Sequence, residues 1–175
     1  MTKEKIGKVA AAERNLKTAV RLFFRREDPV SIYLLIQSSY AVINDIAGKR
    51  GLTLQHSFNN YVKEEYIKEI ARSINRPANF CKHADSDHDG VLEFNPDFIP
   101  QFLYLTIGLF ADIESRLFHE GLVFQCWYCL KNPHFVKNKS LKSAIEISKH
   151  NNISSDDFDI FLMLCDRKFY DEHCV

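Results

Sequence analysis

The sequence predicts an all-α fold, an up-and-down bundle of six to seven helices forming one domain over residues 1–175. Three observations carry that prediction. Apolar residues recur at three- and four-residue spacing in segment after segment, and no stretch alternates apolar with polar as a half-buried strand does. Asp28-Pro29 and Asn95-Pro96 repeat one signal, a capping side chain followed by a proline suited to the first helical position. The hydrophobic fraction of 46% against 26% charged residues is that of a chain able to bury its own core.

Residues 3–26 form the first predicted helix, with Ile6, Val9, Leu16, Val20 and Phe23 near helical spacing and three alanines from Ala10 to Ala12 favouring helix. Asp28 then caps a second helix that runs from Pro29 to about Lys49. Its stripe is Ile32, Leu35, Ile36, Ser39, Ile43, Ile46 and Ala47, and Gly48 and Gly51 offer its stop. The connection is short, so these two helices are expected antiparallel. Residues 52–60 read as loop with a turn of helix. Residues 62–74 are the third helix, with Val62, Tyr66, Ile70 and Ile74 four apart. Arg76-Pro77 is expected to interrupt it, because the residue before a proline avoids helical dihedrals, and Pro77 then opens a short helix over 77–84. Residues 85–95 are loop, extended over 91–94.

Residues 98–118 are apolar on almost every side, the mark of a central helix or of one that also forms a subunit interface. Pro100 belongs in its first turn, and Gly121 is expected to end it. A helix over 122–130, closed by Asn132-Pro133, is followed by helices over 140–150 and 155–169, the last capped by Ser155 with Asp156 and Asp157.

Charge excludes one class of behaviour. Lysine plus arginine number 23 and aspartate plus glutamate 23, so no global field recruits nucleic acid and any RNA binding must use a local patch. The first fifteen residues have no apolar signal-peptide core, and the uncharged run over 98–111 is short of the roughly 20 residues that cross a bilayer. The expectation is a cytoplasmic protein without a membrane partner. Five cysteines, an odd number, fit reduced thiols better than a disulfide framework.

Chemistry concentrates in residues 74–96, INRPANFCKHADSDHDGVLEFNP. Arg76 and His83 are seven apart, two helical turns, and can share a face. Asn79 joins that face and Lys82 lies beside it. A histidine moves a proton near neutral pH and an arginine holds a phosphate and its developing charge, so the pair suits phosphodiester cleavage. Cleavage of RNA at its own 2′-hydroxyl needs no metal or other cofactor.

The stretch from Arg76 to His83, an arginine, six residues and a histidine, resembles the motif of the HEPN superfamily, small all-helical proteins that often act as RNA-cleaving toxins or defence factors. The segment AVRLFFRREDPVSIYLLIQSSYAVINDI is similar to the paired helices of such bundles. The resemblance implies a metal-independent endoribonuclease with His83 as general acid/base, Arg76 as phosphate anchor, and Asn79 and Lys82 in support. It also implies a homodimer whose sites face each other and a restraining, antitoxin-like partner. Pro77 departs from the family, which tends to carry a polar residue directly after the arginine.

The neighbouring Asp85-Ser-Asp87-His-Asp89-Gly90 admits a different reading. Oxygen ligands at alternate positions, a glycine, and Leu92 at the eighth place resemble an EF-hand calcium loop, with Asp85, Asp87, Asp89 and Glu93 as metal ligands. The twelfth place, a bidentate glutamate in that family, is Pro96. On this reading the chain is a non-catalytic interaction or regulatory protein whose acidic loop is structural or binds calcium weakly. Cys126-Trp-Tyr-Cys129 has the spacing of a redox or zinc pair but reads as helix packing, because no thioredoxin-like strand precedes it.

Overall fold

The computed structural model describes residues 3–83, 88–136 and 139–166, and all regular structure among them is helical. Seven α-helices follow in order: α1 Lys8–Phe24, α2 Pro29–Arg50, α3 Ile67–Lys82, α4 Ile99–Glu114, α5 His119–Lys131, α6 Lys139–His150 and α7 Phe158–Asp166. Short 3₁₀ turns precede α3 and α4.

The α1–α2 hairpin forms as its capping residues dictate. Asp28 accepts a hydrogen bond from the Ser31 N–H at 2.7 Å, and the bonds from Ser31 hold its carboxyl below the usual carboxylate range. Arg26 takes the left-handed conformation (φ 56°) that closes α1, with the Glu27 N–H returning to the Leu22 carbonyl. Ser39 Oγ donates to the Ala12 carbonyl at 3.0 Å across the hairpin, so the helices run antiparallel. Helix α1 starts at Lys8 rather than at residue 3. Gly7 precedes it in extended conformation and supplies no capping side chain.

Helix α2 ends at Gly51, which adopts φ 63°, while Gly48 remains helical. By length and composition α2 could cross a membrane; here Ile32, Ile36, Ile43 and Ala47 are buried in the bundle, where α2 packs on α1 and α4. Tyr33 meets Phe102 near the starts of α2 and α4, and Arg50 donates to the Ile113 carbonyl near their ends. The two therefore run the same way, and the long connection between them carries α3.

Helix α4 is the central element, with Phe102, Leu103, Ile107, Leu109 and Phe110 fully buried. Packing within this chain thus accounts for its all-round apolar character. It is shorter than the sequence suggests: Ser115, in left-handed conformation (φ 53°), ends it. Gly121 lies inside α5, where a Cβ would stand 3.1 Å from the Phe118 ring and 3.2 Å from Ile107, so its role is close packing of α5 on α4. Gly108 serves likewise. A Cβ there would meet His56 at 2.4 Å, and His56 clamps the loop after α2 onto α4 through its ring and backbone N–H, both bonded to Asp112.

Helix α7 begins at Phe158, later than expected, because Asp157 turns its carboxylate back to the Ser154 N–H and Ser154 Oγ accepts from the Asp156 N–H. Cys81, Cys126, Cys129 and Cys165 carry free thiols. Cys129 is buried on α5, where burial raises its thiol.

Candidate functional site

Helix α3 departs most from the sequence expectation. It runs unbroken through Pro77. A proline inside a helix leaves the carbonyl four residues back without its N–H and presses its ring on the preceding turn, at about 3 kcal/mol. Anchors from α2 on the turn before Pro77 offset that. The buried Tyr33 hydroxyl donates to the Ile74 carbonyl at 2.9 Å, and Gln37 Nε2 donates to Asn75 Oδ1 at 2.9 Å. Ile74 and Ala78, either side of the proline, are buried on that same side. Burial raises the Tyr33 hydroxyl to about 12, so it stays a donor throughout the physiological range.

Because α3 is continuous, its polar residues fall into register. At about 100° per residue, Arg72, Arg76, Asn79 and His83 lie within about 60° of one another, opposite the buried face. They line one wall of an open cleft of about 710 Å³, whose wall also includes Phe80. Gly90, Val91 and Leu92 border it from the segment leading to α4. Pro77 frees the carbonyl of Ser73, which borders the same cleft. Arg76 and His83 are about 10 Å apart along the axis, with Asn79 between them. His83 ends the helix: its N–H closes on the Asn79 carbonyl at 3.0 Å and its backbone turns extended.

The structure therefore brings together Arg76, Asn79 and His83. It does not bring in Lys82, which is exposed on the helix flank, roughly a quarter-turn from that stripe, and does not line the cleft. Sequence reasoning missed Arg72 and Asn75. Arg72 was legible as the member four residues before Arg76; Asn75 shows itself only through its bond from Gln37. Of the residues read as a cation loop, Asp85 and Asp87 lie outside the described residues. Asp89 is exposed and pairs with His88 at 3.1 Å, and Glu93 is exposed. Among the described residues no three histidine, cysteine, aspartate or glutamate side chains gather as a metal would require.

Chemically the cleft offers cations and a proton carrier. Among the described residues neither Arg72 nor Arg76 has an ion pair, and no side chain orients the His83 imidazole. The chain matches no family model, no curated protein and no solved structure.

Proposed function

We propose that this protein is a HEPN-like, metal-independent endoribonuclease whose active site is the α3 cleft. One observation carries the reading: Arg76, Asn79 and His83 share one accessible wall although Pro77 stands between them. Arg76 holds the scissile phosphate as a charge-assisted fork. His83 takes the proton of the 2′-hydroxyl as that oxygen attacks phosphorus, and the 5′-oxygen leaves with a proton from solvent or from the imidazolium. Asn79, midway, donates to a non-bridging oxygen as charge builds there. The family pattern adds a homodimer, a restraining protein partner and action in the cytosol. Lys82 acts from outside, as a flanking positive charge.

A second reading keeps one specific observation on its side. With no group among the described residues to orient His83, the cleft also suits a non-catalytic interaction protein that binds an anionic partner there. Incubation of a mixed RNA pool with the protein in EDTA separates the two. The expected result is cleavage that falls by about 10²–10⁴ in His83→Ala, with unfolding midpoints unchanged because His83 is exposed. Cleavage equal in wild type and His83→Ala, or absent in both, ends the nuclease reading.

A further inference from the structure

Arg72 stands one turn before Arg76 on the same cleft wall, about 6 Å away along the axis. Both are exposed, and like charges one turn apart repel. Elsewhere arginines are spoken for. Arg14 holds Glu4, Arg21 holds Glu120, Arg50 holds Glu114, Arg116 holds Glu13, and Arg26 covers the Phe158 ring. Arg25, in the α1–α2 turn, is the remaining described arginine without such a partner. Carboxylates are near at hand in the sequence, Glu69 three residues before Arg72 and Glu93 next to Leu92, yet neither pairs with Arg72 or Arg76. Two guanidinium groups in register along a concave wall, with no carboxylate paired to either among the described residues, are a site for two anionic groups in series.

We infer that Arg72 binds the backbone phosphate adjacent to the one held by Arg76, so that the cleft takes single-stranded RNA laid along α3 across two consecutive phosphates. The rise of about 6 Å along the helix axis between the two arginine positions is comparable to the step between successive phosphates of an unstacked strand. A cleft of about 710 Å³ has room for a segment of one or two nucleotides. Phe80, half-buried on the same wall, offers a ring for one base. His83 lies beyond Arg76 on the side away from Arg72, which makes Arg72 a positioning residue and places it one nucleotide from the bond cut. The assignment of that bond rests on the nuclease reading; the two-phosphate site does not.

The test uses a fluorescent 2′-O-methyl RNA oligonucleotide, which binds but cannot be cleaved through its 2′-oxygen, and reads anisotropy between about 50 and 200 mM salt. Arg72→Ala is expected to weaken binding about tenfold and to flatten the plot of log affinity against log salt by about 0.7. Arg72→Lys is expected to restore the salt slope without the full affinity, because lysine supplies charge and not the fork. With cleavable RNA, Arg72→Ala is expected to raise KM and leave kcat unchanged. Unchanged affinity and slope in Arg72→Ala, with unchanged circular dichroism, would overturn the two-phosphate site, as would absence of oligonucleotide binding by the wild type. Loss of binding in Arg72→Ala while no form cleaves RNA would support the phosphate site and remove the nuclease reading alone. Cleavage that depends on His83 but binding indifferent to Arg72 would do the reverse.

Discussion

Six aromatic rings from α1, α5 and α7 meet in one seam, Phe23, Phe24, Phe124, Trp127, Phe158 and Phe161, with neighbouring centroids 4.8–6.0 Å apart. Along α3, by contrast, only Ile74 and Ala78 are buried, and two side chains of α2 supply the polar anchors. The seam's charges are paired: Arg21 of α1 meets the buried Glu120 at 2.9 Å and also donates to the Cys165 carbonyl, tying α1, α5 and α7 together. Among the described residues the arginines of α3 have no such partners. The contrast separates two tasks. Burying rings and pairing charges supplies stability and uses up reactive groups, whereas a lightly attached helix keeps its cations and histidine available to a ligand. Regions held by few buried contacts are also those that open first.

Three substitutions sharpen or break that contrast. The largest effect is expected at the seam, where Trp127→Ala empties a fully buried site and should cost about 3–5 kcal/mol in urea unfolding. Its Nε1 also donates to the Ser155 carbonyl at 2.8 Å, so amide exchange across residues 151–157 should rise with it. A loss below about 1 kcal/mol would mean that the seam is not the stable part of the molecule.

Next comes Arg21→Ala, which leaves Glu120 buried without its cation. The expectation is about 3 kcal/mol, at the low end for a buried pair because Arg21 is itself 39% exposed. Adding Glu120→Gln should recover most of that loss, since no unpaired carboxylate then remains. Recovery of nothing in the double variant would show that packing of the Arg21 stem, and not charge, holds the three helices.

The smallest effect belongs to Tyr33→Phe, about 1 kcal/mol for one hydrogen bond. It should appear as faster amide exchange confined to α3; a uniform rise through α1 and α5 would erase the distinction between the regions. The variant also predicts a pH signature. Burial raises the Tyr33 hydroxyl to about 12, above its unfolded value near 10. Its contribution is therefore fully present below about pH 10 and is lost as pH rises through 12, where the unfolded chain has released the proton and the folded one retains it. Between those values wild type should lose stability faster than Tyr33→Phe.

The helical bundle was legible because its signals are local. Asp28-Pro29 opens α2 where the sequence predicts it, since a cap and a fixed φ act within one turn. The ends were less legible where a distant residue decides them. Gly121 reads as a terminator but is a packing residue, because what demands its missing Cβ is the ring of Phe118, which caps α5, and Ile107 on the neighbouring α4. The candidate site was half legible: spacing put Arg76, Asn79 and His83 on one face, on condition that the helix survive Pro77. Lys82, adjacent in sequence, falls on another side of the helix.

By itself, then, the sequence determined the helical class, the hairpin of α1 and α2, and the residue types available for chemistry, all of which follow from periodicity, caps and composition within a few turns. Tertiary structure alone decided that α3 stays continuous and that its polar stripe faces a cleft. The reason is energetic. The local penalty at Pro77 favours a break, and only Tyr33, Gln37 and the burial of Ile74 and Ala78 against α2, some forty residues earlier in the chain, outweigh it.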